Sequence, residues 1–445
     1  CNLVDMEALL KQLAQPKAVV KEVKNDEFDR IKRLVDVIQS ESKNSQCPLP
    51  PDKPPTSLGI LLIIIDELPN EDFWRLWIAL FHKFNDTSNH KVQIWIHAKF
   101  PQRVRSTWVR NRLINNYLHR KFNPTWGSLE LTKVMFYMLK WAMQKDVDID
   151  SFVFASESCL PIVPLEQCFS SDSYMKYSNG PTNGYSQQMQ FDVLRNALRS
   201  GDAVFKADQW VLLSRPHALH LIGFMDAIDR SFHTHTLNNA HSNAQNNTYK
   251  TADGSAVNNA NINAVSNAYT HPTRVLHNPH PSSSSSRSSD HRFFELFQGV
   301  HASDEMFFPT GLAILGHLPS ADVTPDPPTS QKGKGHQWRV IQRRVTYCDW
   351  SESPKNPKQF DDWRQAVECS HVARALTEGC WVLRKIKMAS RGPTRLMEWT
   401  KVVYSNEEVL AMTENELQDL LLSPLGGGGE GEEGREKDRK RRRGH

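Results

Sequence analysis

The feature that most constrains the fold is an uninterrupted apolar run, Leu58 to Ile65, which ends at Asp66. The run is far shorter than the ~20 residues that a membrane-spanning helix needs. A strand with one face in water would alternate apolar and polar side chains, and this run does not alternate. It therefore predicts a strand buried on both faces, as in a parallel sheet covered by helices.

The segments that follow complete a strand, helix, strand unit. Asp72 to Phe84 carries apolar residues at helical spacing, and Val92 to His97 has the composition of a second strand. Two strands joined by one helix within ~40 residues form a βαβ unit with a right-handed crossover. Leu129 to Gln144 predicts another helix, and Phe152 to Ala155 another short buried strand. The expected class is α/β.

Polar residues come directly after the strand that ends at Ala155. Ser156, Glu157 and Ser158 precede Pro161. In open α/β sheets, ligands bind outside the carboxyl ends of the strands, so Ser156 and Glu157 are candidates for a ligand site. The alternative is a capped turn that leads into the proline.

Three alternating aspartates, Asp146, Asp148 and Asp150, look like a metal-binding pattern. They precede the strand, in the loop that leaves a helix. A metal site at the ligand-binding end of such a sheet needs its carboxylates after the strand, so we interpret this run as a solvated loop. No metal is expected.

An acidic pair heads a later apolar segment, Ser303 to Thr310. A carboxylate at a loop-to-helix junction can reach into a cleft while its backbone stays anchored, which makes Glu305 a candidate general base. Phe307 and Phe308, directly behind it, could exclude water and raise its proton affinity. Ser-Asp-Glu is also an ordinary helix start, and that is the alternative.

Composition divides the chain of 445 residues into three parts. Residues 1–56 are predicted to be a helical stem or peripheral region. Residues 57–425 form the main domain, interrupted at about 231–290 by a segment rich in Asn, His, Ser and Thr, which predicts a disordered insertion. Residues 426–445, with Gly and Glu followed by a basic end, are predicted to be disordered.

The formal net charge is +4 and owes much to that basic end. A charge this small does not indicate a nucleic-acid partner. A basic RNA-associated protein remains an alternative that only the tail suggests.

The seven cysteines include no CxxC pair, so a structural zinc site is not expected, and disulfides stay open. Sequons at Asn85-Asp86-Thr87 and Asn246-Asn247-Thr248 are compatible with the secretory pathway. The chain begins at Cys1, and any membrane anchor is expected to lie before it.

Several of these pieces, in this order, resemble the core-2/I-branching β-1,6-N-acetylglucosaminyltransferase family, including its plant and algal relatives. The resemblance covers roughly residues 58 to 400 without the insertion. Its elements are Trp126-Gly127, Phe152 to Pro161, Gln209-Trp210 with Ser214-Arg215, Asp304-Glu305 with Phe308-Pro309-Thr310, Asp349-Trp350-Ser351, and Cys380-Trp381 with Arg384-Lys385. Met306 and Glu352 to Lys355 depart from the family pattern.

The resemblance implies a GT-A-like glycosyltransferase domain with a mixed, mainly parallel sheet flanked by helices. It implies inverting transfer from a UDP-sugar to a glycan or glycoprotein acceptor without a metal, in the Golgi, by a type II membrane protein. The implied roles are base for Glu305, donor binding for Lys385, Arg384, Ser156 and Glu157, and acceptor binding for Trp350, Trp210 and Asp304. Arg374 is a second candidate for the further cation on the diphosphate.

Alternatives within this resemblance concern the donor and the activity itself. The donor could be UDP-xylose or UDP-glucuronate instead of UDP-N-acetylglucosamine. A non-catalytic glycan-binding relative would keep the fold and lose the transfer.

Overall fold

The computed structural model describes residues 32–41, 43–44, 54–85, 90–179, 194–195, 198, 203–248, 291–318, 339–352, 357–387 and 393–423, with the backbone alone for 116, 117, 119, 233–248 and 393. The predictions for residues 1–31, for 249–290 and for the tail lie outside these residues.

Eleven strands are described. They are β1 Ser57–Ile64, β2 Lys91–Ala98, β3 Ser151–Ser156, β4 Leu160–Pro161, β5 Ser173–Tyr174, β6 Tyr177–Ser178, β7 Lys206–Ala207, β8 Leu212–Ser214, β9 Val340–Ile341, β10 Thr346–Cys348 and β11 Val382–Arg384.

The described α-helices flank these strands. They are α1 (32–41), α2 Glu71–Phe84, α3 Thr107–Arg110, α4 Asn116–Lys121, α5 Leu129–Lys145, α6 Arg215–Thr248, α7 Phe307–Ile314, α8 Trp363–Glu368, α9 His371–Thr377, α10 Pro393–Val403, α11 Glu407–Leu410 and α12 Glu414–Leu422.

The largest sheet has six strands in the order β2-β1-β3-β8-β5-β9. Strands β2, β1 and β3 are mutually parallel, β8 runs antiparallel to β3 and β5, and β9 is parallel to β5. The protein is therefore a mixed α/β protein with a mainly parallel sheet between helices, as the sequence predicted.

Strand β1 is buried on both faces, which confirms the first prediction. Leu61 and Ile63 belong to a core shared with α5 and α6, whereas Ile60 and Leu62 belong to a second core shared with α2 and α10. All eight of its residues are buried. Burial on two faces explains why the run never alternates, because both sets of side chains leave water.

Helix α1 packs into the domain instead of lying apart from it. Leu34, Val35 and Ile38 are at most 1% exposed and belong to the core that contains α5 and α6. The Ser231 hydroxyl donates to the Glu41 carboxylate at 2.7 Å. The domain therefore includes residues before 57, where the sequence predicted its start.

Helix α6 continues beyond the residue at which we placed the insertion. Ile228 and Phe232 are buried, so the apolar face of the helix extends past residue 231. The backbone stays helical to Thr248. The predicted boundary at 231 therefore does not coincide with the end of the helix.

The aspartate run is a solvated loop only in part, because Asp148 is exposed whereas Asp146 and Asp150 are half-buried and bind neighbouring strands. One oxygen of Asp150 accepts hydrogen bonds from the amides of Thr56 and Ser57 at 2.7 and 2.9 Å and from the Ser57 hydroxyl at 2.7 Å. Asp146 pairs with Lys91 at 2.7 Å. These carboxylates hold the amino ends of β1 and β2, opposite to the end at which ligands bind.

A three-stranded sheet, β10-β11-β4, lies at the carboxyl end of β3. Strand β11 pairs antiparallel with β4, and the Ile386 amide donates to the Ser158 carbonyl at 2.9 Å. This pairing brings Arg384 and Lys385 beside the polar end of β3.

Within the described parts of the chain, no helix has both the length and the apolar composition to cross a membrane. The described cysteines Cys159, Cys168, Cys348, Cys369 and Cys380 are free thiols.

Candidate active site

Glu305 ends a short 3₁₀ turn, Ser303–Glu305, at the head of α7. The Glu305 amide donates to the Ala302 carbonyl at 3.0 Å, and the Ser303 hydroxyl lies 2.6 Å from the Thr132 hydroxyl on α5. Phe307 behind the turn is fully buried. The carboxylate therefore extends from an anchored backbone at a loop-to-helix junction, as the sequence predicted.

A distant glycine supports this turn. The Ala302 amide donates to the Gly127 carbonyl at 2.9 Å, and Ala302 itself is left-handed, with φ of 53°. Gly127 has φ of +71°, and an added Cβ would lie 2.3 Å from His301. The Trp126 ring packs 4.9 Å from the ring of His301. The Trp126-Gly127 motif thus fixes the approach to Glu305.

The carboxylate of Glu305 faces a buried lysine. Lys206 Nζ lies 2.9 Å from Glu305 Oε2 in an ion pair without aligned hydrogen-bond geometry, and the two side chains are 6% and 19% exposed. The Thr310 hydroxyl bonds the backbone of Phe205, donating to its carbonyl at 3.1 Å and accepting from its amide at 3.2 Å. These contacts hold β7 beside α7 and so set the distance between the two charges.

Asp304, the neighbour of Glu305, is buried and does not line the pocket. Its Oδ1 atom has no hydrogen-bond partner among the described residues. Burial, with the negative charge of Glu305 as a second cause, raises the pKa of Asp304 to about 7. The structure therefore does not place Asp304 where it could contact an acceptor.

The pocket at Glu305 brings together residues from distant parts of the chain. Four of the predicted site residues line it, namely Glu305, Trp210, Trp350 and Arg384. The space that it encloses is about 30 Å³, which corresponds to about one water molecule. The pocket therefore leaves little free space between its side chains in this structure.

Arg384 forms one wall of the pocket. Its Nη1 donates to Gln209 Oε1 at 3.0 Å, and its guanidinium carbon lies 5.3 Å from the centre of the Trp210 ring. Its buried Nε has no hydrogen-bond partner in the described structure. Trp210 is only 4% exposed, so it supports the guanidinium more than it presents a face to a ligand.

The Asp349-Trp350-Ser351 motif is a closed local turn. Ser351 donates to the Asp349 carboxylate from its amide at 3.0 Å and from its hydroxyl at 2.9 Å. Burial opposes the charge of Asp349, but these hydrogen bonds and nearby His371 outweigh it and lower the pKa of Asp349. The turn holds Trp350 at the pocket.

Lys385, Glu157 and Ser156 form a second group that does not line this pocket. Burial lowers the pKa of Lys385, and the adjacent charge of Arg384 adds to that effect. Burial raises the pKa of Glu157, whereas Arg384 and Lys385 act in the opposite direction. The Ser156 and Ser158 hydroxyls are 3.2 Å apart. One carboxylate and two cations thus meet at the carboxyl end of β3.

An open cleft adjoins this charged group. Its volume is about 690 Å³, and Asp66, Arg103, Arg105 and Arg110 are among its lining residues. The charge of Asp66 acts on Glu157, so the cleft and the charged group are neighbours. The cleft lies at the carboxyl ends of β1 and β2, where an α/β sheet binds its ligands.

Sequence reasoning missed Lys206, Asp208 and Arg344, which also line the pocket. Arg344 Nε donates to Asp208 Oδ2 at 2.8 Å. A signal for Lys206 was present, because a lysine inside an apolar strand segment is almost never buried without a partner. The exposed Arg374 on α9 is not among the residues that line the pocket.

No family model matches the chain, and no curated protein is significantly similar to it in sequence. The class that the fold and the site define is a mixed α/β protein with a carboxylate and cation pocket at the carboxyl edge of its sheet.

Proposed function

We propose that this protein is an inverting glycosyltransferase that moves a sugar, N-acetylglucosamine by resemblance, from a UDP-sugar to a hydroxyl of a glycan or glycoprotein acceptor. The observation that carries the proposal is the placement of Glu305. An anchored, partly exposed carboxylate faces a pocket walled by Trp350 and Arg384. That pocket stands beside a cationic group at the carboxyl end of β3.

The chemistry assigns one step to the carboxylate. Glu305 takes the proton from the acceptor hydroxyl while the acceptor oxygen forms a bond to the anomeric carbon. The bond from that carbon to the diphosphate oxygen breaks, and UDP leaves with the electron pair. Attack from the side opposite the leaving group inverts the configuration.

The leaving diphosphate gains negative charge, and fixed cations can stabilise it. Arg384 and Lys385 lie beside the polar end of β3, with Glu157 as the nearby carboxylate. We assign the diphosphate to these two cations, which would supply the positive charge that a divalent metal supplies in other transferases. This assignment supports transfer without a metal.

Ligand binding requires side chains to separate, because the pocket at Glu305 has room for only about one water molecule. We assign the nucleotide to the open cleft of about 690 Å³ near Asp66. The acceptor hydroxyl then takes the place of the Lys206 ammonium beside the Glu305 carboxylate and donates a hydrogen bond to it.

A second candidate is a non-catalytic glycan-binding protein. The ion pair between Lys206 and Glu305 favours it, because an acceptor hydroxyl can reach this carboxylate only if it displaces a buried ammonium. Turnover separates the two candidates, since both would bind sugars.

The test is a calorimetric screen of UDP-N-acetylglucosamine, UDP-xylose and UDP-glucuronate with the full chain, followed by an assay of UDP release with and without EDTA. We expect binding of one donor and release that persists in EDTA. Loss of release in EDTA with recovery on Mn²⁺ would contradict the assignment of the diphosphate to Arg384 and Lys385. Binding without any release, with or without acceptor glycans, would favour the glycan-binding protein.

A further inference from the structure

A second open groove lies along β2 and shares no lining residue with the pocket at Glu305. Its volume is about 550 Å³, within the usual range for sites that bind small molecules. Its walls include Trp95, Trp108, Trp141, Arg75, Arg112 and Asn111.

Three indole rings give the groove aromatic walls. The Trp95 and Trp141 rings are nearly perpendicular, at 89°, with centres 6.3 Å apart. The Arg112 guanidinium carbon lies 4.0 Å from the centre of the Trp108 ring. Asn111 adds an amide at the open side. Aromatic faces beside amide groups suit a ligand that has both apolar faces and hydroxyl groups, as a sugar ring has.

The groove also has an excess of positive charge. Arg75 lies 3.7 Å from Glu71, and Arg112 feels the charge of Glu71 without an ion pair to a carboxylate of the described residues. Burial lowers the pKa of Arg112 to about 10, and the charge of Arg75 contributes, while Glu71 opposes both. Two guanidinium groups and no carboxylate are among the described residues that line the groove, which favours an anionic ligand.

Arg112 is held in place before any ligand arrives. Its carbonyl accepts from the Ile96 amide at 2.8 Å, and its Nη1 donates to the Trp108 carbonyl at 3.0 Å. The Ile114 amide donates to the Ile96 carbonyl at 2.9 Å, so residues 112–114 continue the sheet beyond β2. A fixed guanidinium loses little freedom when it binds, and its planar geometry matches a carboxylate.

We infer that this groove binds a glycan that contains a hexuronic acid, with the sugar carboxylate on Arg112 and a ring face on the partly exposed indoles of Trp108 and Trp141. A peptide carboxylate would use the arginines alone, whereas a uronic acid uses the arginines and the indole rings together. This binding does not depend on transfer at Glu305.

The test is calorimetric titration of the full chain with a tetramer of galacturonic acid, and with an uncharged tetramer of glucose, at ~0.15 M salt. We expect tighter binding of the acidic tetramer. Arg112→Gln should weaken its binding by at least ~5-fold, because one charge-assisted hydrogen bond is lost. The matched control is Arg120→Gln, an exposed arginine on α4 outside the groove, which should bind as the wild type does.

Equal affinity for the two tetramers would overturn the inference, as would an equal loss in Arg120→Gln. A tetraglutamate peptide that binds as tightly would assign the groove to acidic peptides instead. If Arg112→Gln does not fold, Arg112→Lys keeps the charge without the planar fork and should still weaken binding. UDP binding should be unchanged in both Arg112 variants, so this inference and the proposed transfer can fail separately.

Discussion

At the scale of single residues, the ion pair of Lys206 and Glu305 decides whether the pocket can do chemistry. A buried lysine costs free energy unless a counter-charge compensates it, and Glu305 is that counter-charge. Removing the carboxylate therefore affects both the proposed reaction and the solvation of Lys206.

Glu305→Gln keeps the shape of the side chain and removes the proton acceptor. We expect turnover to fall by roughly 10²- to 10⁴-fold, the usual contribution of a general base, with little change in UDP affinity. Steady-state UDP release and calorimetry measure the two effects. Glu130→Gln, a surface carboxylate on α5, is the control and should leave both unchanged. Near-normal turnover in Glu305→Gln would mean that Glu305 is not the base and only forms part of the start of α7.

Lys385→Ala removes a cation from the carboxyl end of β3. We expect UDP to bind at least ~10-fold more weakly, because a charge-assisted contact to the diphosphate is lost. Lys387→Ala is the matched control, since Lys387 is exposed on the same segment and should bind UDP normally. If the two variants bind UDP equally well, the end of β11 does not contact the donor.

Asp304→Asn tests the buried carboxyl through its titration. Burial and Glu305 raise the pKa of Asp304 from its usual 3.8 to about 7, so the folded protein binds a proton there more tightly than the unfolded chain does. Stability should then fall as pH rises between about 4 and 7, because the folded protein holds the extra proton only in that range.

We expect Asp304→Asn to reduce this loss between pH 5 and pH 8 by at least ~1 kcal/mol, since one pKa unit corresponds to ~1.4 kcal/mol. Urea unfolding at the two pH values measures the difference. An equal loss in the variant and the wild type would mean that Asp304 titrates near its ordinary value.

At the scale of elements, the site depends on how two turns pack against each other. Ala302, in the left-handed conformation, donates a hydrogen bond from its amide to the Gly127 carbonyl. The His301 ring occupies the space where a side chain at Gly127 would lie. The start of α5 and the start of α7 are thereby fixed together, which holds the backbone of Glu305 in position.

Gly127→Ala should destabilise the fold by ~2 kcal/mol or more, from left-handed strain plus a clash with His301. Gly299→Ala is the matched control, because Gly299 has φ of +81° and nothing within 4 Å of an added Cβ. Gly299→Ala introduces the left-handed backbone strain without a clash, so it should lower the free energy of unfolding by only ~1 kcal/mol. Urea unfolding compares the two variants, and His301→Ala in the Gly127→Ala background should recover part of the loss. Equal costs at the two glycines would show that His301 moves aside freely.

At the scale of the whole molecule, we expect the two cores and the sheet between them to fold without the predicted insertion. Phe232 is the last side chain of α6 that the structure describes as buried. His291 lies 2.5 Å from Asp229, and the Arg292 amide donates to Asp229 at 2.8 Å, so the chain rejoins the domain beside α6.

Deleting residues 235–288 should therefore leave the domain folded. His291, three residues after the deleted stretch, lies beside Asp229, and Asp229 precedes the stretch by six residues, so a short Gly-Ser linker can close the gap. We expect the midpoint of thermal unfolding to change by less than ~4 °C. A change of ~1 kcal/mol in the free energy of unfolding shifts the midpoint of a domain of this size by about that much or less. Aggregation, or loss of soluble protein, would show that the deleted residues pack on the core.

The sequence by itself determined the elements whose signals are local. The unbroken apolar run predicted β1, helical spacing predicted α2 and α5, and the anchored turn at Glu305 followed from its position between a polar and an apolar segment. Each of these signals comes from residues within about two turns or one strand, so no distant contact is needed to interpret them.

Only the tertiary structure decided which residues share the site. Strands β4, β5 and β7 are each two residues long, which is too short to show a period, and they pair with segments distant in the sequence. Lys206 and Glu305 form an ion pair although α6 and the predicted insertion separate them in the sequence. Asp150, which precedes β3, accepts a hydrogen bond from the first residue of β1. Such pairs form only when the strands take their final order in the sheet. That order is set by packing helices on both apolar faces of the sheet, and no local sequence pattern specifies it.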